Sequence, residues 1–389
     1  MMAPLDCPLL PMHPLPRVTD HLPGCGGQIR LFVEDFEVEE IPLYLPSGEG
    51  EHLYLFVQKR DMTGDFLRRH IARTLVVSPR DVGMAGLKDR RAVTRQWLSV
   101  PKSAAARVPA LSNDRVQVLE VATHRNKLRT GHLAGNRFRI RVRNTVPDAA
   151  PRVQAKLDAL ALTGVADFFG SQRMGQGGST LAGGWALAHG ADGLCRVRTP
   201  DETVHTLHLE DRSLRRLAAS ALQSEVFNRV LTWRVAQGVW RQVLAGDLCR
   251  KRASGGLFLS DDAERDQLRL LAGELDVTGP MWGPKMMQAS GRPAEIEAQM
   301  MAECGLTLAD FAAIGHLAEG TRRPLSVPVH DASLQAHDDG ITVQFQLPAG
   351  AFATVVLHEL MGPVAADEVS PAWSEPLADL VSGEEAACA

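Results

Sequence analysis

Cysteine pairs, metal-ligand clusters, long apolar runs and nucleotide loops are all missing from this 389-residue chain. Each absence excludes something. The six cysteines (Cys7, Cys25, Cys195, Cys249, Cys304, Cys388) form no C-x-x-C pair, so neither a disulfide framework nor a zinc site is expected and a reducing cytoplasm suits the pattern. The 13 histidines make no H-x-x-x-H or H-x-E arrangement near a cysteine, and no metal is expected. No stretch approaches the roughly 18–20 apolar residues needed to span a bilayer. The N-terminal segment has six prolines and no basic region ahead of a long apolar stretch. It reads as an irregular leader over residues 1–27, not a signal peptide. "GSQRMGQGGSTLAGG" (170–184) is glycine-rich but lacks the Gly-Lys-Ser/Thr of a phosphate loop and the dinucleotide spacing. Gly-x-Ser-x-Gly is absent too. No cofactor is expected.

Charge is missing in a patterned way. From Pro363 onward there are six acids and no Lys or Arg; without them the formal net charge of −4 becomes +2 for residues 1–362. This tail, 363–389, is expected to be disordered. Conversely, His124–Asn144 carries Arg125, Lys127, Arg129, Arg137, Arg139, Arg141 and Arg143 with no acid. In "RFRIRVR" the arginines alternate with Phe138, Ile140 and Val142, which in a strand sets the guanidiniums in a row about 7 Å apart, comparable to successive phosphates. Charge alone leaves two readings open, a solvated strand face and a phosphate-binding surface.

Length favours two domains. Strands are expected around Gln28–Ile41 with a turn near Glu34-Asp35, and at Glu51–Arg60, Ala92–Val100, Asp114–His124, Arg137–Arg143 and Ile341–Pro348. A helix begins near Thr63, with Phe66, Ile71 and Leu75 on its apolar side, and Pro79 follows it. A further helix start falls in "GAFATVVLHELM". Between them, residues 150–320 are rich in Ala and Leu, with helical periodicity in three segments. The simplest organisation is an α+β chain: a β-rich domain that leaves for a largely helical insert and returns.

One segment raises a chemical question. "GMAGLKDRRAVTRQW" (83–97) holds a single acid, Asp89, among Lys88, Arg90, Arg91 and Arg95. Neighbouring cations keep a carboxylate ionised, as a carboxylate nucleophile requires, and Gly83 and Gly86 allow a backbone path that presents it in a cleft. Taken alone, an Asp in a turn among basic residues is more often a surface ion pair. Phe36, Phe138 and Phe352 each lie beside glycine or polar residues at a predicted strand edge. Such rings can stack on an extruded base while an amide such as that of Asn136 bonds its polar edge; taken singly, each also fits core packing or a turn. The glycine-rich 170–184 segment fits turns, or an approach to RNA backbone with Gln172 and Arg173.

These motifs, taken in order, resemble the TruD-type tRNA pseudouridine synthases from about residue 28 to 362. "AGLKDRRAVTRQ" is similar to that family's most distinctive segment, and the resemblance implies that Asp89 is the catalytic nucleophile. "VEDFEVEE" is similar to the family's P-E-D-F-x-V-x-E stretch, with Val33 in place of proline, and makes Phe36 a substrate-pocket ring. Arg30 falls where the family has a basic partner for the Asp. "GNRF" supplies Asn136 as the uridine-contacting residue and Phe138 as the stacking aromatic; "FQLPAGAFAT" supplies Phe352. "DFFGSQRMG", "FNRVLTWR", "TGPMWG" and "RRPL" resemble landmarks of the family's inserted domain, with Met174 where Phe is commoner; His358 stands where Arg is common.

The resemblance implies a pseudouridine-synthase-like catalytic domain, with a mixed, largely antiparallel sheet and flanking helices, plus a mostly helical inserted TRUD domain. The expected boundaries are 28–161 and 325–362 for the former and 162–324 for the insert. It further implies a cytoplasmic, monomeric enzyme that converts uridine, at position 13 in the bacterial members, to pseudouridine in tRNA without metal or cofactor. Lys88, Arg90, Arg91, Arg139, Arg141, Gln172 and Arg173 are the expected RNA-backbone contacts. The rivals are a non-catalytic RNA-binding or RNA-remodelling module, and a carboxylate-dependent nuclease. A nuclease needs clustered acids for its metal, and Asp89 stands alone in its segment.

Overall fold

Strands marked by β-branched and aromatic residues build an eight-stranded sheet. The computed structural model describes residues 5–6, 10, 14–200 and 202–363; the acidic tail expected to be disordered lies outside them, apart from Pro363. Contacts divide the chain into two compact units: His21–Leu162 with the described residues from Pro328 on, and Thr163–Val327 with the described residues up to Asp20.

In the first unit the strands run, edge to edge, His330–His337, Gly340–Pro348, Leu133–Arg143, Phe36–Pro42, Val93–Pro101, His52–Arg60 and Val116–His124, with Gly83–Met84 beside Val93–Pro101. Every neighbouring pair is antiparallel except Phe36–Pro42 with Val93–Pro101. The sheet is therefore mixed and largely antiparallel. Helix Gly64–Leu75 begins at Thr63, whose hydroxyl accepts the Phe66 N–H. It buries Leu67, Ile71 and Leu75 against Leu53, Leu55, Val57, Leu98 and Val100. The expected apolar side is one residue out of phase: Phe66 is exposed, and Leu67, spaced i, i+4, i+8 with Ile71 and Leu75, takes its place. Strand His330–His337 escapes a reading by pattern because as an edge strand it is mostly exposed and lacks an apolar run.

Of the three helices expected from periodicity, Arg212–Ala236 and Gly291–Glu303 belong to the second unit, whereas Ala149–Thr163 lies in the first as far as Leu162. The second unit also holds two small sheets that periodicity does not reveal, Leu257–Leu259, Leu248–Lys251, Leu275–Met281 and Thr321–Pro324 in that order, and Leu194–Arg198 between Leu5–Asp6 and Val204–His208, together with a two-stranded pair, Val165–Ala166 with Ser326–Val327. Arg322, almost fully buried, crosses from the last strand of the larger sheet to Glu297 with bonds of 2.7 and 2.9 Å. Cys25, Cys249 and Cys304 are free and buried. Cys195 is disulfide-bonded, against the expectation that no disulfide forms. No helix among the described residues is long and apolar enough to cross a membrane.

Candidate active site

The pleat sorts the residues of the central strands onto two faces. Across Phe36–Pro42 and Leu133–Arg143 the opposed pairs are Phe36 with Ile140, Val38 with Phe138, and Glu40 with Asn136 on one face. On the other face Glu37 opposes Arg139 and Glu39 opposes Arg137. The loop carrying Asp89 lies over the first face, because side chains rising from it hold that loop.

Three such ties are direct. Lys88 Nζ donates to Glu40 Oε2 at 2.8 Å, both groups being buried. Gln96 Nε2 donates to the Gly86 carbonyl at 3.2 Å. Lys59 Nζ donates to the carbonyls of Asp89 and Met62 at 2.6 Å each, and to that of Lys88 at 3.4 Å. The glycines serve differently from expectation, since neither takes a left-handed φ. Gly83 is needed for space: a Cβ there would lie 2.3 Å from the Leu128 carbonyl oxygen, whereas one at Gly86 would meet nothing closer than 3.7 Å.

Arg30 reaches Asp89 from the far side. Gln28 exchanges two backbone hydrogen bonds of 2.8 Å with Arg143, which fastens the segment to the sheet. Arg30 then adopts a left-handed φ of +58°, a conformation that costs a non-glycine residue about 1–2 kcal/mol. Its Nη2 donates to Asp89 Oδ1 at 2.6 Å, with side-chain exposures of 5% for Arg30 and 38% for Asp89. Its guanidinium also lies 4.1 Å from the centroid of the Phe36 ring. A carboxylate so paired is held in place by a charge-assisted bond and still presents part of itself outward.

The rings divide by exposure. Phe36 and Phe138 are buried and meet edge-to-face with centroids 6.4 Å apart; Phe138 packs on Phe345 at 5.4 Å. Phe352 is 40% exposed and occupies the N-cap position of helix Ala353–Met361. It follows the strand end where Leu347 opposes Asn136 and Pro348 opposes Gly135. Asn136 Oδ1 is buried without a hydrogen-bond partner.

Several expected RNA contacts sit elsewhere. Lys88 is not a surface cation but half of the buried pair with Glu40. The guanidinium row is not unbalanced, because the neighbouring strand supplies Glu37 and Glu39, the 3-10 turn Val33–Asp35 supplies Asp35, and the turn between His330–His337 and Gly340–Pro348 supplies Asp339. Arg137 pairs with Glu39 at 2.8 Å and Arg139 with Glu37 at 2.6 Å, Arg141 pairs with Asp339, and Arg143 with Asp35 and Asp339. Hydrogen bonding to Arg141 holds the Asp339 carboxyl below its usual range. The row also occupies the sheet face opposite the Asp89 loop. Arg90 and Arg91 are exposed beside Asp89. Gln172 and Arg173 belong to the second unit, where Arg173 stands 5.3 Å from the Phe169 ring. Sequence reasoning misses Lys59 and Glu40; a lysine near the end of a buried strand and an acid in phase with Phe36 and Val38 are the available signals.

The family model described as tRNA pseudouridine synthase D (TruD) matches residues 17–191 and 192–360. The chain belongs to the TruD family. It is 45% identical over 349 residues to tRNA pseudouridine synthase D of Anaeromyxobacter dehalogenans strain 2CP-1, covering 90% of this chain and 97% of that one. With a Thermus thermophilus protein of the same description it shares 38% identity over 360 residues, covering 92% and 95%. The fold matches the crystal structure of a Methanosarcina mazei protein assigned as TruD, with a TM-score of 0.72 and 25% identity over 90% of this chain and 96% of that one.

Proposed function

We propose that this TruD-family protein isomerises uridine to pseudouridine in tRNA, at uridine 13, with Asp89 as the nucleophile. The observation that carries the reading is the Arg30–Asp89 pair, a part-exposed carboxylate held by a buried guanidinium on the sheet face that bears Phe36 and Asn136. The uridine leaves its stack to reach it. Asp89 attacks the nucleoside, at ribose C1′ or uracil C6, and the N-glycosidic bond breaks. The uracil turns in place, C5 joins C1′ and the bond to Asp89 breaks, which returns the free carboxylate; the C5 proton leaves and N1 gains one, so the reaction is redox-neutral. Phe352, the exposed ring, supplies a stacking surface, and Phe36 and Phe138 pack the sheet face that bears Asn136. The Asn136 carboxamide oxygen, which has no protein partner, is suited to accept the N3–H of the base. Arg90 and Arg91 provide phosphate contacts.

A binding module would gain nothing from a carboxylate directed at a polyanion, which argues for catalysis over non-catalytic RNA recognition. The test is to map pseudouridine in cellular tRNA with and without the gene. Loss of the modification at position 13 supports the reading, and an unchanged tRNA map rejects it.

A further inference from the structure

The cation beneath the Asp89 loop is not used in the chemistry above. Lys59 is the penultimate residue of strand His52–Arg60, opposite Thr94 of Val93–Pro101, and its side chain is fully buried. Its ammonium donates to Met62 O and Asp89 O at 2.6 Å and to Lys88 O at 3.4 Å. A buried ammonium costs several kcal/mol unless its donors are met, so this placement is expensive and its geometry specific. Two of the three carbonyls belong to Asp89 and the residue before it.

We infer that Lys59 is a positioning residue that fixes the Asp89 peptide so the carboxylate meets both Arg30 and the nucleoside. The inference rests on Asp89 being the nucleophile. With the peptide pinned from below by Lys59 and the carboxylate held by Arg30, Asp89 has little freedom to turn away. Misplacing a reacting atom by about 1 Å costs on the order of a hundredfold in rate. Losing the clamp is therefore expected to lower kcat while leaving tRNA affinity intact, since Lys59 is out of reach of RNA.

The experiment compares Lys59→Met, which removes every donor, with Lys59→Gln, which keeps N–H donors without charge. Single-turnover rates, tRNA Kd and Tm are measured for both, with Asp89→Asn in parallel. The expected result is a fall in rate of about 10–100-fold for the methionine variant, unchanged Kd, and partial rescue by glutamine. A purely structural lysine would lower Tm in both variants and leave the rate of the folded fraction unchanged, which overturns the inference. Should the methionine variant not fold, glutamine decides: wild-type rate with intact Kd again overturns it, and a reduced rate supports it. Full activity in Asp89→Asn would sink the nucleophile reading itself, independently of either lysine variant.

Discussion

Arg30 and Asp89, 59 positions apart in sequence, meet at 2.6 Å, and the same guanidinium covers the Phe36 ring at 4.1 Å. One side chain thus balances the charge of the proposed nucleophile and sets its orientation. Charge-assisted hydrogen bonds of this kind contribute about 1.5–3 kcal/mol.

Removing the guanidinium with Arg30→Met should reduce single-turnover pseudouridine formation by roughly ten- to a hundredfold. Arg30→Lys should fall between, because a point charge cannot reproduce the planar contact with Phe36. Equal rates for all three proteins would remove Arg30 from the mechanism.

The Lys88–Glu40 pair makes a stability prediction. Glu40→Ala leaves a buried ammonium unpaired and should cost about 3–5 kcal/mol in denaturant unfolding, with Lys88→Met/Glu40→Leu recovering a large part of it. A loss below about 1 kcal/mol would be the behaviour of an exposed pair and would contradict the burial.

The arginine strand offers a contrast with Arg91. Each phosphate contact removed flattens the dependence of log K on log salt by about 0.7–0.9. Arg91→Gln should show a change of that size in tRNA binding, and Arg139→Gln/Arg141→Gln should show much less, because Glu37 and Asp339 already neutralise them. The reverse ranking would return the row to the RNA surface.

His124 predicts a pH effect. Desolvation, with His52 and Arg125 nearby, lowers its pKa, and its Nδ1 accepts the Ser47 N–H at 3.1 Å while its ring stacks on Tyr44. The folded state therefore resists protonation more than the unfolded chain. Its stabilising contribution is present above the ordinary histidine range near pH 6.5 and declines as pH falls through it. Between pH 8 and 5, Tm should fall more steeply for the wild type than for His124→Asn; parallel curves would exclude His124 as the cause.

Alternation and apolar runs make most of the catalytic sheet legible, because those strands bury one face or both. The ordered motifs make Asp89 and Arg30 legible. The role of each cation is not, since charge read along the chain cannot show a partner on another strand. Lys88 finds Glu40 48 positions away, and Arg139 finds Glu37 102 positions away. Both partners sit in "FEVEE", whose period of two places Glu40 on the Asp89 face and Glu37 on the arginine face. Phe66 misleads for a similar reason: apolar character marks the helix, and only its packing chooses Leu67 as the inward residue.

The most direct measurement is single-turnover pseudouridine formation on a tRNA transcript by the wild-type protein and by Asp89→Asn, with tRNA Kd determined for both. The predicted result is loss of product by at least about a thousandfold with affinity essentially retained. Product formed by Asp89→Asn at the wild-type rate would contradict it.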